Sequence, residues 1–246
     1  MNTFDLTGRV ALVTGGGTGI GLGIARGLAE AGATLVLAGR RAEVVSAALP
    51  RAEGVKLDVT NRAAIDAVVA DVVQRHGQLD ILVTSAGTNR RLPTLDYDEA
   101  SWDAVIDTNL KGAFFCAQSA ARVMRERRWG RIIHVGSVAA TLASALQSGY
   151  CASKAGLVQL NKVMAIELAP FGITSNVISP GPFRTPLNEH LFSDPHWLAT
   201  VVNRVPMGRV GAMEDLAGLA VYLASPAAGY LTGQNINLDG GLSTGV

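Results

Sequence analysis

A glycine-rich turn near the N-terminus restricts the possible folds of this chain more than any other segment does. Residues 9–14 form an apolar, β-branched run that is typical of a strand buried on both faces. Gly15, Gly19 and Gly21 follow it, and residues 22–31 have the apolar spacing of a helix. In some proteins such a turn is simply a tight strand–helix connection. At a helix N-terminus it can also bring main-chain N–H groups close to a pyrophosphate. Because the turn lies inside a strand–helix–strand unit, we predict that it binds a dinucleotide.

The alternation of strands and helices continues along the chain. We predict further strands at residues 34–38, 54–57, 79–83, 130–136, 173–178 and 234–238, and helices at 43–49, 62–76, 150–171 and 213–225. Residues 99–127 are predicted to be helical with a break near 109–112, whereas residues 183–209 have no clean period and are expected to form a mostly irregular lid or binding loop. Since each right-handed crossover places its helix against the sheet, the pattern predicts an α/β, doubly wound parallel sheet with helices on both faces.

Composition excludes several classes of protein. Hydrophobic residues make up 48% of the 246 residues and charged residues 17%, which excludes a disordered chain. We see no linker or repeat and predict one domain spanning residues 1–246. A net charge of +1 provides no basic surface for a nucleic acid, and the scattered histidines predict no metal site. Only two cysteines and no signal-like or membrane-spanning apolar stretch occur, so we expect a cytoplasmic protein without a membrane partner.

The end of the second predicted strand indicates which dinucleotide would bind. An acidic residue about 20 positions beyond the glycines would bind the ribose 2′-hydroxyl of NAD, but Arg40 and Arg41 stand there instead. Two guanidiniums suit the 2′-phosphate of NADP, with which they can form bidentate pairs. The alternative is a solvated charge pair at the start of a helix. We therefore predict NADP(H) as the cofactor.

A series of motifs resembles the short-chain dehydrogenase/reductase family. They are Thr14-Gly15-x-x-x-Gly19-x-Gly21, Asp58-Val59, Ser85-Ala86-Gly87, Asn109, Ser137, Tyr150-x-x-x-Lys154 and Pro180-Gly181. The resemblance spans residues 6–242 and implies a Rossmann-type fold with a seven-stranded sheet, a nicotinamide cofactor and a homotetramer with residues 234–238 near an interface. One departure is that Thr84-Ser85 replaces the family's usual Asn-Asn, so the loop after the fourth strand needs another support, to which the Ser85 hydroxyl could contribute.

The resemblance also implies the site residues. The catalytic tetrad would be Asn109, Ser137, Tyr150 and Lys154. The cofactor would be bound by Gly15, Thr18, Gly19, Ile20, Gly21, Arg40, Arg41, Asp58, Val59, Ser85, Ala86, Gly87, Tyr150, Lys154, Pro180, Gly181 and Thr185.

The chemistry of hydride transfer explains why these residue types are needed. Hydride transfer to a carbonyl builds charge on oxygen, so the site needs a proton donor that serves as the base in the reverse direction. Tyr150 and Lys154 are four residues apart on a predicted helix, and we expect the ammonium to lower the pKa of the phenol from its ordinary value of about 10. Ser137 is expected to hold the substrate oxygen near Tyr150. Asn109, by resemblance, would hold a water that links Lys154 to solvent.

Two further arginines suggest the substrate. Arg90 and Arg91 follow the Ser85-Ala86-Gly87 motif and could bind a carboxylate, although a surface pair is the alternative. Together with residues 102–109 and 233–241, they resemble the gluconate 5-dehydrogenase branch of the family, which implies a keto sugar acid such as 5-ketogluconate, interconverted with its secondary alcohol.

Two other functions stay open. One is a 3-oxoacyl-thioester (acyl-carrier-protein) reductase, whose carrier protein could dock on a patch formed by Arg125, Arg127, Arg128 and Arg131, although such a cluster is more often a solvated helix end. The other is a non-catalytic NADP-binding redox sensor. A sensor without turnover would be expected to lack part of the tetrad, whereas all four members are present.

Overall fold

Apolar, β-branched segments form the strands of one parallel sheet in the computed structural model, which describes residues 3–244. Within that range the sheet has seven strands in the order β3-β2-β1-β4-β5-β6-β7. The strands are β1 (Val10–Thr14), β2 (Thr34–Gly39), β3 (Glu53–Lys56), β4 (Ile81–Thr84), β5 (Gly130–Val135), β6 (Ile173–Pro180) and β7 (Asn235–Leu238). The predicted doubly wound, seven-stranded fold is confirmed. The predicted single domain extends to residues 1, 2, 245 and 246, which lie outside the described residues, and it stays a prediction.

Helices cover both faces of the sheet. They are α1 (Gly19–Glu30), α2 (Ala42–Ala47), α3 (Arg62–His76), α4 (Glu99–Ile106), α5 (Ala113–Arg127), α6 (Ser148–Leu168), α7 (Glu189–Phe192), α8 (Pro195–Asn203) and α9 (Met213–Ala224). One core forms where α1 and α9 pack on the sheet, and a second forms beneath α3, α5 and α6. No helix within residues 3–244 is long and apolar enough to cross a membrane.

The strand order places one crevice at the middle of the sheet. The chain runs outward from β1 to β3 and then returns to β4, which pairs with the other side of β1. Crossovers therefore leave the carboxyl ends of β1 and β4 in opposite directions, and ligands of doubly wound sheets bind at this switch point. The glycine turn follows β1, and Ser85-Ala86-Gly87 follows β4.

Two segments test the finer predictions from sequence. The break predicted in residues 99–127 is confirmed, because a π-helical turn at Asp107–Gly112 separates α4 from α5. The prediction that residues 183–209 are mostly irregular holds for 14 of these 27 residues, whereas the other 13 form α7 and α8. The side chain of Asp194 caps α8 by accepting from the main-chain N–H of His196, and Pro195 occupies the first helical position, where its missing N–H costs nothing.

Candidate active site

A cavity of about 510 Å³ lies at the carboxyl ends of the central strands. Fifteen of the residues predicted to bind the cofactor line it. They are Gly15, Thr18, Gly19, Ile20, Gly21, Arg40, Arg41, Asp58, Val59, Ser85, Ala86, Gly87, Tyr150, Lys154 and Thr185. Pro180 and Gly181 do not line this cavity and belong to the wall of a neighbouring one. We refer to the larger cavity as the dinucleotide cavity.

Two glycines allow the turn after β1 to pack closely enough to form this cavity. Gly15 has a φ of +68°, and a Cβ atom there would lie only 2.8 Å from the main-chain nitrogen of Ala86. A Cβ atom on Gly21 would collide with the main-chain oxygen of Gly15. Larger residues would therefore force the turn away from the loop after β4 and from the start of α1. With glycine at these two positions, the N-terminus of α1 lines the cavity, and its main-chain N–H groups suit a pyrophosphate.

The loop after β4 is supported without the asparagine pair usual in the family. The hydroxyl of Thr14 accepts from the main-chain N–H groups of Ser85 and Ala86, at 3.3 and 3.4 Å. The hydroxyl of Thr84 lies 2.7 Å from Nδ1 of the buried His134 on the neighbouring strand. The Ser85 hydroxyl makes no hydrogen bond within the described part of the chain. Threonine hydroxyls on β1 and β4 thus stabilise a loop for which the sequence alone suggested Ser85.

Arg40 and Arg41 lie exposed at one end of the dinucleotide cavity. Neither has an ion-pair partner within residues 3–244. The pKa of Asp58, on the same cavity wall, is lowered mainly by the main-chain N–H of Thr60, and the positive charge of Arg40 adds to this effect. Both guanidiniums are therefore available to a phosphate that enters this end of the cavity.

A second cavity, of about 280 Å³, adjoins the first. Ser137, Pro180, Gly181 and much of the 183–209 segment line it, and we call it the substrate cavity. Five residues line both cavities, namely Ile20, Gly136, Tyr150, Thr185 and Leu187. Tyr150 therefore stands between the place for a dinucleotide and the place for a small molecule.

Tyr150 and Lys154 lie on the same side of α6, as the four-residue spacing predicts. The ammonium nitrogen of Lys154 lies 5.7 Å from the centre of the Tyr150 ring and donates to the main-chain oxygen of Val135 at 2.7 Å. Burial lowers the pKa of Lys154 to about 8. Burial also raises the pKa of Tyr150, and a hydrogen bond with Ser137 acts in the opposite direction. The expected lowering of the Tyr150 pKa by Lys154 is therefore wrong for the chain alone, because loss of water around the phenol dominates.

Asn109 is buried in the π-helical turn and fastens the loop after β4 to α6. Its side-chain oxygen accepts from Thr88 N at 2.8 Å, and its nitrogen donates to Thr88 O at 2.9 Å and to Ser153 Oγ at 3.1 Å. Ser153 in turn donates to the main-chain oxygen of Tyr150 at 2.7 Å. The side chain thus holds two walls of the dinucleotide cavity together, while the water relay implied by the family resemblance stays a prediction.

The structure separates the arginines that the sequence grouped together. Arg91 lines the substrate cavity, but the adjacent Arg90 does not. Arg204, at the end of α8, also lines it and was missed, because no motif marks a lone arginine in a segment without a clean period. Asn89, in the loop after β4, and Trp197, in the segment that was expected to form a lid or binding loop, also line this cavity.

One of the four arginines predicted to form a basic patch for a carrier protein, Arg131, does not lie on the surface. Arg131 is only 5% exposed, since its guanidinium packs over the ring of Trp129 and donates to the main-chain oxygens of Gly130 and Ser225. Arg131 is a strand residue of β5, and its side chain points into the protein. Arg125 and Arg128 also have partners, which are the carboxylate of Glu126 and a main-chain oxygen.

The chain is similar to known proteins over nearly its whole length. A family model described as enoyl-(acyl carrier protein) reductase matches residues 15–243. The gluconate 5-dehydrogenase of Gluconobacter oxydans (strain 621H) is 38% identical over 247 residues, which cover 98% of this chain and 96% of that protein. The 3-oxoacyl-(acyl-carrier-protein) reductase FabG of Thermotoga maritima is 38% identical over 244 residues, which cover 96% of this chain and 98% of that protein.

A solved structure is similar to this chain over its whole length as well. The gluconate 5-dehydrogenase of Burkholderia cenocepacia J2315, in complex with NADP and tartrate, has a TM-score of 0.96 and 38% sequence identity. The alignment covers 100% of this chain and 99% of that one. The similarity therefore includes both cavities and the segment between β6 and α9.

Proposed function

The chain belongs to the short-chain dehydrogenase/reductase family, and we propose that it uses NADP(H) to interconvert a secondary alcohol and a ketone. It is an oxidoreductase that acts on CH–OH groups, as are its gluconate 5-dehydrogenase and 3-oxoacyl-(acyl-carrier-protein) reductase relatives. The observation that carries the proposal is the position of Tyr150, which lines both cavities and has Ser137 and Lys154 beside it.

The residues of the dinucleotide cavity fit NADP(H). Gly15 and Gly21 leave room for a pyrophosphate at the start of α1, and Arg40 and Arg41 offer two guanidiniums to a 2′-phosphate. The structure of the Burkholderia cenocepacia relative in complex with NADP supports the same choice. When bound, the nicotinamide supplies or accepts the hydride.

The roles of the four tetrad residues are proposed from their contacts. Tyr150 donates a proton to the carbonyl oxygen in reduction and removes it in oxidation, and Ser137 holds that oxygen by a hydrogen bond. Lys154 places a positive charge near the phenol, which favours the phenolate once a cationic nicotinamide is also present. Asn109 positions the loop after β4 and α6, so it acts through the residues that it holds.

We favour a keto sugar acid such as 5-ketogluconate as the substrate. A cavity of about 280 Å³ suits a small molecule, and Arg91 on its wall can bind a carboxylate. The similarity to gluconate 5-dehydrogenases, one of them in complex with the dicarboxylate tartrate, supports this choice.

A 3-oxoacyl-thioester reductase is the second candidate, because a 3-oxoacyl-(acyl-carrier-protein) reductase is as similar in sequence. The burial of Arg131 weakens the carrier-docking surface on which that candidate depended. A redox sensor without turnover is a third candidate, and it has no structural observation in its favour.

Kinetic assays with NADPH would decide between these functions. Initial rates should be measured with 5-ketogluconate, an acetoacetyl thioester and a simple ketone such as cyclohexanone. The proposal expects the highest kcat/KM for 5-ketogluconate. A higher value for the thioester would establish the reductase of acyl thioesters, and NADPH binding without turnover of any ketone would favour the sensor.

Assembly and location are also proposals. Val163 and Ile166 on α6, together with Tyr230, present exposed apolar side chains at 45%, 76% and 105% of their full exposure. Large exposed apolar groups favour burial between subunits, which supports the homotetramer implied by the family. Two free cysteines without a disulfide are in keeping with a reducing cytoplasm.

A further inference from the structure

We propose that Arg91 and Arg204 together form an anion site in the substrate cavity and that this site selects substrates carrying a carboxylate. The proposal rests on the proposed function for the reacting carbonyl. It adds Arg204, which lies far from Arg91 in sequence, as a residue that determines specificity.

The charge of the cavity wall is the first observation. Among the described residues that line the substrate cavity, Arg91 and Arg204 are the ones that carry a full charge at neutral pH, and no Asp or Glu is present. Arg91 comes from the loop after β4, and Arg204 follows α8. Two separate segments thus contribute positive charge to one small cavity, and no acidic wall residue offsets it.

The lack of partners is the second observation. In the 183–209 segment, Arg184 pairs with Glu189 and Arg209 pairs with Asp215. The side chain of Arg204 has no hydrogen bond or ion pair within residues 3–244, and the same is true of the side chain of Arg91. Arg184 and Arg209, which do not line the cavity, therefore have carboxylate partners from the chain itself, whereas the side chain of Arg204, which does line it, has none.

The chemistry of guanidinium explains what would pair with these two side chains. A planar guanidinium binds a carboxylate through two parallel hydrogen bonds and gives up its hydration more readily than an ammonium does. The wall that carries the arginines and Tyr150 also has apolar side chains, which include Val138, Phe192 and Trp197. A substrate that places its carbonyl at Ser137 and Tyr150 can place a carboxylate at Arg91 and Arg204, whereas an uncharged thioester would leave both cations without a partner.

A matched pair of substrates tests the site. L-Sorbose carries a hydroxymethyl group where 5-ketogluconate carries its carboxylate, and the rest of the two molecules is the same. We expect Arg204→Ala and Arg91→Ala each to lower kcat/KM for 5-ketogluconate by about 10- to 100-fold, mostly through KM, because each loses a charge-assisted hydrogen bond. The value for L-sorbose should stay within about threefold, as expected when no charged contact is lost.

Two variants serve as controls. Arg204→Lys keeps the charge without the bidentate geometry, so its kcat/KM for 5-ketogluconate should lie between those of the wild type and Arg204→Ala. Arg90→Ala removes a neighbouring exposed charge that does not line the cavity, and it should behave as the wild type. An equal loss for Arg90→Ala and Arg91→Ala would overturn the proposal, because it would mean that only the general field of the surface matters.

A binding measurement separates this proposal from the proposed function. Calorimetric titration of gluconate into the enzyme saturated with NADPH detects carboxylate binding without turnover, because NADPH cannot accept a hydride. We expect the Arg204→Ala variant to bind gluconate about 10- to 100-fold more weakly and NADPH as tightly as the wild type does. Unchanged gluconate affinity, or no gluconate binding by the wild type, would refute the anion site even if ketones are reduced. Weakened binding in the variant, in an enzyme that reduces no sugar acid, would refute only the proposed substrate.

Discussion

The ammonium of Lys154 donates to the main-chain oxygen of Val135 across 2.7 Å, which ties α6 to the carboxyl end of β5. Lys154 is only 5% exposed, and burial lowers its pKa from the ordinary 10.5 to about 8. Burial therefore disfavours the charged form of Lys154 by comparison with water, although the side chain stays protonated at neutral pH. The bond to Val135 offsets part of this cost and directs the ammonium toward the dinucleotide cavity.

Replacing Lys154 by methionine should stabilise the protein at neutral pH while removing activity. The lowered pKa means that stability contributed by this group rises from about pH 8 to pH 10.5, because the unfolded chain then binds more protons than the folded one. Below pH 8 the cost is present in full, and we expect Lys154→Met to raise the free energy of unfolding by about 1–3 kcal/mol. Urea denaturation at pH 7 and pH 10 would measure it. A gain that is equally large at both pH values would contradict the explanation.

Replacing Tyr150 by phenylalanine tests the proton donor. The change removes one hydroxyl between the two cavities and keeps the ring, so NADPH affinity should change little. We expect kcat to fall by about 10²- to 10⁴-fold, which is the usual contribution of a positioned acid or base. Stopped-flow measurement of NADPH oxidation and fluorescence titration of NADPH would follow the two properties separately. Substantial remaining turnover would assign the proton transfer to another group.

Replacing Arg40 by aspartate tests the choice of dinucleotide. The carboxylate would repel a 2′-phosphate and could accept a hydrogen bond from a 2′-hydroxyl, so NADPH binding should weaken by about 100-fold or more, while NADH binding should weaken little or improve. Dissociation constants for both dinucleotides would be compared with those of Arg26→Asp, in which the same charge changes on the exposed side of α1. Equal losses for NADPH and NADH would exclude Arg40 as the phosphate contact.

Replacing Asn109 by alanine tests its role in holding the loop after β4. The variant leaves the N–H and C=O of Thr88 and the hydroxyl of Ser153 without their partner, which should cost about 1–3 kcal/mol of stability. Because the same loop carries Ser85-Ala86-Gly87, KM for NADPH should rise as well. Thermal denaturation and steady-state kinetics give the two readouts, and a loss of kcat with unchanged stability and KM would point to a direct catalytic role instead.

The order of strands and helices was predictable because each strand is a short apolar run and each helix has its own period. The glycine turn, Tyr150 and Lys154 were predictable because their spacing is local. The π-helical turn was detectable as an interruption near Asn109, although its geometry was not. In residues 183–209, Asp194 and Pro195 form a helix start that was overlooked because α8 has only 9 residues.

Properties that depend on packing between distant segments could not be predicted. Arg90 and Arg91 are neighbours in sequence, yet only one lines the substrate cavity. Arg131 has the sequence surroundings of an exposed base, but the ring of Trp129 covers it. Arg204 became recognisable only when the fold placed it in the wall of the same cavity as Arg91. The pKa of Tyr150 likewise depends on how completely the folded chain excludes water.

Thr185 and Leu187 belong to the walls of both cavities, so one short stretch of chain would be touched by the nucleotide and by the substrate. A ligand that settles this stretch from one side lowers the entropy that the other ligand must remove. The two should therefore bind synergistically, so that each raises the affinity of the enzyme for the other. The apparent affinity of such an enzyme for one ligand would then depend on the concentration of the other.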